Sequence, residues 1–186
     1  MLKAIFRRQI DAFERDFNYD AGYMRDLLDA SSWKFLRFSV VPALGRGKSA
    51  PAEAVAAAGI VGTLAEDCGP CTQIGVDIAA RGGIKPQILR AILAGDLAAM
   101  GETAALGYRF AKAVLARDLE EADPLRDQIL TRWGKAGLVD ISLALTTARM
   151  YPTLKYGLGH GKACSRVLVA GETAPFHKPL AEPVAA

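Results

Sequence analysis

Apolar residues recur at helical spacing along almost the whole chain. Four stripes repeat every three or four residues: Leu2, Ile5, Phe6, Ile10 and Phe13; Ile84, Ile88, Leu89, Ile92 and Leu93; Leu106, Phe110, Val114 and Leu115; Leu125, Ile129 and Trp133. This spacing places apolar side chains on one face of an α-helix. The only candidate strand, FLRFSVV at 35–41, stands alone, and a sheet needs partner strands. The sequence therefore predicts an all-α bundle of about seven or eight helices.

Proline and glycine mark where some of these helices begin and end. Asp123-Pro124 has the form of a helix cap followed by a first-turn proline. Gly134 and Gly137 bracket a break, after which the apolar period resumes until Pro152 interrupts it. These signals predict a helix from Pro124 to the break and another that ends before Pro152.

Changes in composition divide the chain into three predicted segments. Residues 1–50 form a helical extension and linker, 51–170 the main helical domain, and 171–186 a proline-rich tail expected to be an extended or disordered arm. GRGKS at 45–49 looks like the end of a phosphate-binding loop, but Pro42 stands where that loop needs its first glycine. The stretch is therefore predicted to be a linker.

Composition limits the expected partners and location. The chain has 186 residues, of which 51% are hydrophobic, enough for one good core. Its 23 basic and 20 acidic side chains are scattered, with no polybasic run for nucleic acid or acidic lipid. No segment approaches the roughly 18 to 20 uninterrupted apolar residues that cross a bilayer, and the start is amphipathic rather than a secretory signal. These features predict a cytoplasmic protein that binds neither nucleic acid nor membrane.

The clearest chemical motif is Cys68-Gly-Pro-Cys71, the tetrapeptide of thioredoxins. Two cysteines three residues apart in a cytoplasmic protein indicate redox chemistry or a metal. The thioredoxin fold itself is rejected, because the preceding EAVAAAGIVGTLAED is typical of a tightly packed helix and Asp67 stands where thioredoxins have tryptophan. The motif therefore predicts a dithiol on a different, helical scaffold.

The expected position of this dithiol favours a thiolate. If Asp67 caps a new helix, Cys68 lies beside unpaired backbone N–H groups at the positive end of the helix dipole, and its pKa falls below about 8.5. Spacing of three brings Cys71 onto nearly the same face, so a disulfide is feasible. Glu66 and Asp67 oppose this effect by raising the thiol pKa, unless one of them is the base that takes the proton.

Residues 52–151 resemble the alkylhydroperoxidase D-like (AhpD-like) and carboxymuconolactone decarboxylase superfamily of small, all-helical, oligomeric proteins. The resemblance is carried by the small-residue helix before the dithiol, by RGGIKPQILRAILAGD at 81–96, by ALGYRFAKAVLARD at 105–118 and by WGKAGLVDISLALTTARMYPTLKYGLG at 133–159. It implies an AhpD-like bundle that assembles as a homo-oligomer.

The same resemblance implies a thiol-dependent peroxidase. Cys68 and Cys71 would reduce a small hydroperoxide or a disulfide without a bound cofactor, and an external dithiol, either a thiol reductant protein or a lipoyl-type donor, would restore them. The family pattern assigns the attack to Cys71 and the resolving step to Cys68. The helix dipole instead makes Cys68 the more acidic thiol, so the sequence leaves both assignments open.

The sequence departs from the family's proton relay at two positions. Gly75 stands where the pattern has a histidine, and Ala56 where it has a glutamate. The replacement candidates are the polar groups that flank the dithiol: Glu66, Asp67, Gln73 and Asp77. Glu66 is the preferred base, with Asp67 and Gln73 as possible supporting groups. Each also suits a helix cap or a solvated surface position, and that role is favoured for Asp77.

Two alternative functions fit parts of the sequence. In HGKAC, His160 and Cys164 are four residues apart, and with Cys68 and Cys71 they would complete a tetrahedral zinc site in a non-catalytic member of the fold. Gly-Pro between the cysteines is more typical of a redox pair, so no metal is expected and His160 and Cys164 are predicted to pack independently. His177 is expected to face solvent. The other alternative, a carboxymuconolactone decarboxylase-like lyase, does not need a dithiol.

Overall fold

The chain folds mainly into helices. The computed structural model describes residues 2–163 and 165–178, and it is 72% helical. The helices are α1 Leu2–Phe17, α2 Gly22–Ala30, α3 Ser32–Phe38, α4 Val41–Leu44, α5 Ala52–Ala65, α6 Gly69–Arg81, α7 Pro86–Ala94, α8 Gly101–Ala116 and α9 Leu119–Gly157. A hairpin of β1 Val167–Val169 and β2 Glu172–Ala174 follows. The prediction of a largely helical fold is confirmed. Within the described ranges, no helix is both long and apolar enough to span a membrane.

Helix α5 lies at the centre of the main core, where it packs against α6, α7, α8 and α9. Its small side chains allow close approach: Ala54, Ala57 and Ala58 are completely buried. At the crossing with α8, a Cβ atom on Gly107 would lie only 2.8 Å from the Cα atom of Ala54. The alanine-rich stretch before the dithiol is therefore a buried central helix, and its end sets where α6 begins.

The N-terminal helices form a second core of their own. Its buried residues are Phe6, Ile10, Tyr19, Ala21, Tyr23, Leu28 and Phe35. Ring centroids of Tyr19 and Tyr23 lie 6.4 Å apart in an edge-on arrangement, a favoured geometry for aromatic pairs. Ile74 of α6 and Leu154 of α9 pack against this cluster. The N-terminal helices therefore cover the faces of α6 and α9 next to the dithiol.

The hairpin was not expected from the sequence. Ala170 and Gly171 form its turn with φ of 52° and 81°, and two positive φ values match the right-handed twist of paired strands. The side-chain amide of Gln73 accepts from the Leu168 N–H (2.7 Å) and donates to the Leu168 carbonyl (3.0 Å). Arg90 of α7 donates to the Val169 carbonyl (2.9 Å). These side chains hold the two short strands against α6 and α7.

Several predicted boundaries differ from the structure. The candidate strand 35–41 is helical or turn in α3 and α4. Helix α9 starts before Asp123-Pro124, since Asp118 is its N-cap and accepts a backbone N–H at 3.1 Å. The break at Gly134 is confirmed, with φ 68° and ψ −175°, but Pro152 lies inside a helix that continues to Gly157. This continuation places residues 153–157 beside α6.

The GRGKS linker resembles a phosphate loop in sequence, but backbone N–H groups at its end bind a carboxylate of the protein itself. The Asp140 carboxylate accepts backbone N–H bonds from Ser49 (2.7 Å) and Ala50 (3.3 Å). A carboxylate already takes the donors that such a loop would offer to a phosphate. The contact anchors residues 49–50 to α9.

Replacing Gly107 with alanine tests the close crossing of α5 and α8. The added methyl group would meet the Ala54 backbone, which cannot rotate away, so we expect Gly107→Ala to lower the free energy of unfolding by about 1–3 kcal/mol. Gly157→Ala is the matched control, because a Cβ atom there has nothing within 4 Å. Equal unfolding midpoints in denaturant for the two variants would contradict the close crossing.

Candidate dithiol site

Cys68 and Cys71 lie together at the start of α6. Cys68 is the N-cap residue with extended backbone (φ −109°, ψ 96°), and a proline follows in the first turn. The backbone N–H of Thr72 donates to the Cys68 carbonyl at 2.9 Å and so begins the helix. The two Sγ atoms are 2.8 Å apart. The helix starts one residue later than predicted, since Asp67 precedes the cap and has a φ of 50°.

Both thiols are shielded from solvent. Cys68 is completely buried and Cys71 is 6% exposed. Tyr19 and Tyr23 from the N-terminal core interact with both sulfurs, and burial raises the pKa of each tyrosine. Burial also raises the pKa of Tyr151 on α9, to about 12. These hydroxyls therefore stay protonated at neutral pH and surround the thiols with neutral groups.

A further neighbour of the pair is a buried lysine, Lys155 of α9, which is only 2% exposed. Its Nζ atom lies 4.7 Å from the ring centroid of Tyr19 and 5.6 Å from that of Tyr23. Cation–π contacts of this kind partly replace the lost hydration of an ammonium group. The charge of Lys155 also lowers the pKa of both cysteines. A lysine is rarely buried this far unless anionic or aromatic partners compensate it.

The two cysteines share one negative charge unequally. The hydrogen bond between the two cysteine side chains lowers the pKa of Cys68 to about 7; the Cys71 backbone N–H and Lys155 act in the same direction, and burial and Asp67 oppose them. Its hydrogen bond to Cys68 and its own burial raise the pKa of Cys71. The pair therefore begins to lose one proton near pH 7, and the negative charge is favoured at Cys68 over Cys71.

The acidic candidates just before the pair have other partners. Glu66 accepts from Arg149 Nε at 2.6 Å and forms an ion pair with its Nη2 at 2.5 Å, so its hydrogen bonds join it to α9. Asp67 forms an ion pair with Lys178 at 2.7 Å, and its carbonyl accepts from the Tyr156 hydroxyl at 3.1 Å. Electrostatically, Asp67 opposes a thiolate at Cys68.

The candidates after the pair hold the hairpin. Besides its two bonds to Leu168, the Gln73 amide donates to Asp77 at 2.8 Å. Gln73 therefore orients a strand, and Asp77 orients Gln73. At the position of the absent relay histidine, a Cβ atom on Gly75 would lie 3.8 Å from a side-chain carbon of Ile60, in ordinary contact with α5.

The two histidines lie in separate places. His160 Nε2 is 2.7 Å from a carboxylate oxygen of Asp26 in α2. His177 is exposed, and its backbone N–H donates to the Leu93 carbonyl at 2.8 Å. Across residues 2–163 and 165–178, no three His, Cys, Asp or Glu side chains are grouped as metal ligands. Cys164, the fourth ligand of the alternative zinc site, lies outside the described residues.

Lys155 is the site residue that sequence reasoning missed, although a signal was present. Ile141, Leu145, Pro152 and Lys155 are spaced by four, seven and three residues, which keeps them on one face of α9, and all four are buried. Following the apolar stripe through Pro152 places a lysine at a buried position. A buried cation near a cysteine pair points to thiolate stabilisation.

No protein-family model matches this chain, and no curated protein or solved structure matches it either. The chemistry of the site is therefore inferred from its own geometry and charge.

The Lys155 charge can be tested through the ionisation of the reduced pair. Far-ultraviolet thiolate absorbance should rise with pH through a midpoint of about 7 in the wild type. Lys155→Met removes a positive charge, so less thiolate forms at pH 7 and the midpoint moves upward. Lys155→Arg should retain a midpoint near that of the wild type.

Lys34→Met serves as the matched control, because Lys34 is exposed on α3, and its midpoint should equal that of the wild type. Subtracting the absorbance of a Cys68→Ser variant isolates the signal of the pair. A wild-type midpoint near 9, or a folded Lys155→Met variant with an unchanged midpoint, would contradict the role given to Lys155.

Proposed function

We propose that the protein is a thiol-dependent peroxidase of the alkylhydroperoxidase D-like type, which reduces a small hydroperoxide through Cys68 and Cys71. The observation that supports this most is the 2.8 Å sulfur–sulfur contact at the start of α6, combined with the lowered pKa of one thiol and the raised pKa of the other. A peroxidase needs one thiolate to attack and one thiol to resolve.

The proposed reaction begins at Cys68. Its thiolate attacks the distal oxygen of the hydroperoxide, an S–O bond forms, and the O–O bond breaks. The alkoxide leaves with the bonding electron pair and takes a proton from solvent to become the alcohol. Cys68 is then a sulfenic acid, oxidised by two electrons relative to the thiolate.

Cys71 completes the cycle of oxidation. Its sulfur attacks the sulfenic sulfur of Cys68, an S–S bond forms, and the S–O bond breaks. The leaving hydroxide takes the Cys71 thiol proton and departs as water. The sum is two thiols and one hydroperoxide giving one disulfide, one alcohol and one water. The Cys68 charge that helps to raise the pKa of Cys71 is absent once Cys68 is a sulfenic acid, so Cys71 releases its proton more readily at this step.

Burial favours a small oxidant over a protein disulfide. Cys68 is completely buried and Cys71 is 6% exposed, whereas exchange with a folded partner needs an accessible sulfur. Lys155 contributes by stabilising the attacking thiolate in a region of low dielectric. Here a buried lysine takes the place that the family gives to a relay histidine and glutamate.

The rest of the cycle and the assembly complete the proposal. A small external dithiol of the lipoyl type reduces the disulfide by exchange and becomes oxidised itself, since the buried pair does not offer an accessible sulfur to a folded thiol reductant protein. A cytoplasmic location would keep the pair reduced between turnovers. Assembly as a homo-oligomer is supported by apolar side chains that remain exposed on α3, α4 and α9, among them Trp33 (65%), Leu44 (52%) and Val139 (53%).

Serine variants test the two roles separately. Reduced Cys71→Ser protein treated with cumene hydroperoxide should accumulate a sulfenic acid at Cys68, trapped by dimedone and located by peptide mass spectrometry. Turnover with a dithiol should fall to background, since no resolving thiol remains. Cys68→Ser should show neither rapid oxidation nor labelling at Cys71.

Cys164→Ser is the control and should keep full turnover, because the proposed cycle uses only the pair. Its loss of activity together with loss of bound zinc would favour the metal-binding alternative instead. Hydroperoxide turnover that persists in Cys71→Ser would overturn the mechanism, and dimedone labelling of Cys71 in Cys68→Ser would reverse the two roles.

A further inference from the structure

An open cleft lies directly beside the dithiol. It has a volume of about 780 Å³ and lies between α6, the turn after α1, and the segment that leads into the hairpin. Gly69 and Pro70, the two residues between the cysteines, line it, as does Tyr19. Tyr19 also interacts with the Cys71 side chain. The same tyrosine thus borders the cleft and interacts with Cys71, while the two buried cysteines lie behind the cleft lining.

The cleft carries more positive than negative charge. Arg81, Lys162 and Arg166 line it, against the single carboxylate of Asp77. Lys162 is matched by Asp20 at 3.1 Å, and Asp77 accepts from Gln73 at 2.8 Å.

Among the described residues, neither guanidinium group has such a counter-ion. Arg81 lies 4.3 Å above the ring of Phe17 and donates to the Asp16 carbonyl at 2.7 Å, and a carbonyl leaves its charge unbalanced. The exposed Arg166 side chain has no hydrogen bond, ion pair or ring contact with any residue in 2–163 or 165–178. Arg81 is therefore held in place by uncharged partners, and its charge can interact with an anionic ligand. No described contact holds the Arg166 side chain, so it can also bind that ligand.

Part of the remaining lining is apolar. Phe17, Ile74, Ala80 and Leu168 provide hydrocarbon surface in the same cleft. A ligand that satisfies both features has an apolar portion against these side chains and one anionic end at the arginines. Guanidinium groups match the planar geometry of a carboxylate with paired hydrogen bonds.

We propose that this cleft selects organic hydroperoxides that carry a carboxylate, with Arg81 and Arg166 binding the carboxylate and the apolar lining holding the hydrocarbon body. The proposal rests on the proposed peroxidase function and adds its substrate class. Binding of this kind places the peroxide group toward Pro70 and Tyr19, next to the thiols. It raises the rate of the first oxidation step without altering the chemistry at sulfur.

The test is single-turnover oxidation of the reduced protein by three related compounds. They are cumene hydroperoxide, its para-carboxylate derivative, and the methyl ester of that derivative, which keeps the bulk but removes the charge. Thiols that remain after rapid acid quenching are alkylated and counted by mass spectrometry. The external reductant is absent, so only substrate oxidation is observed.

We expect the carboxylate to react about ten-fold faster than its methyl ester in the wild type, a ratio that falls with added salt. Arg166→Met and Arg81→Met should each reduce this ratio, and the double variant should bring it close to one. The rate with cumene hydroperoxide, which has no carboxylate, is the reference to which the other two rates are normalised in each variant. Arg37→Met, an exposed arginine on α3 outside the cleft, should leave the ratio unchanged.

Two results would overturn the substrate class alone: equal rates for acid and ester in the wild type, or a preference for the acid that survives in the double variant. Arg166→Met keeps the test sharp, because it removes no contact seen in the described fold and should fold normally. If none of the three compounds oxidises the pair, the peroxidase function itself fails and the substrate class fails with it.

Discussion

The contact between the two sulfur atoms depends on where α6 begins. Cys68 must be the N-cap and Cys71 must lie in the first turn for their Sγ atoms to meet at 2.8 Å. That start is determined by the end of α5, whose alanines let α8 and α9 pack closely around it. The position of α5 therefore affects the chemistry of the pair. It places the Cys68 side chain at the start of α6, where backbone N–H groups are unpaired and favour a thiolate.

The buried Lys155 side chain is the second feature on which the site depends. An ammonium group in a core is costly unless nearby groups compensate it, and here the compensation comes from two tyrosine rings and a thiolate. Under the proposed function, this arrangement links the stability of the fold to the redox state of the pair. In the reduced protein Lys155 faces a negative sulfur, and in a disulfide that charge is gone. The N-terminal helices supply both tyrosines, so they belong to the chemistry of the site as well as to its cover.

The local parts of this arrangement could be predicted from the sequence, and the long-range parts could not. Two cysteines around Gly-Pro indicate a dithiol at a helix start because the signal lies within four residues. Glu66 is predicted to be a base for the same local reason, and the sequence does not indicate its partner Arg149, which is 83 positions away. Gln73 is likewise committed to Leu168, 95 positions away. Sequence reasoning misses the position of Lys155, because Pro152 predicts a helix end. In the structure, packing against the core keeps the chain helical through Pro152, and Lys155 therefore lies on the buried face of α9.

The most direct measurement is the intact mass of the reduced protein after one equivalent of hydroperoxide. A dithiol peroxidase loses two hydrogen atoms, so we expect a decrease of about 2 Da per chain that an added dithiol reverses. Peptide mapping should place the new disulfide between Cys68 and Cys71. An unchanged mass, or a gain of about 16 or 32 Da from oxygen that stays on sulfur, would contradict the account.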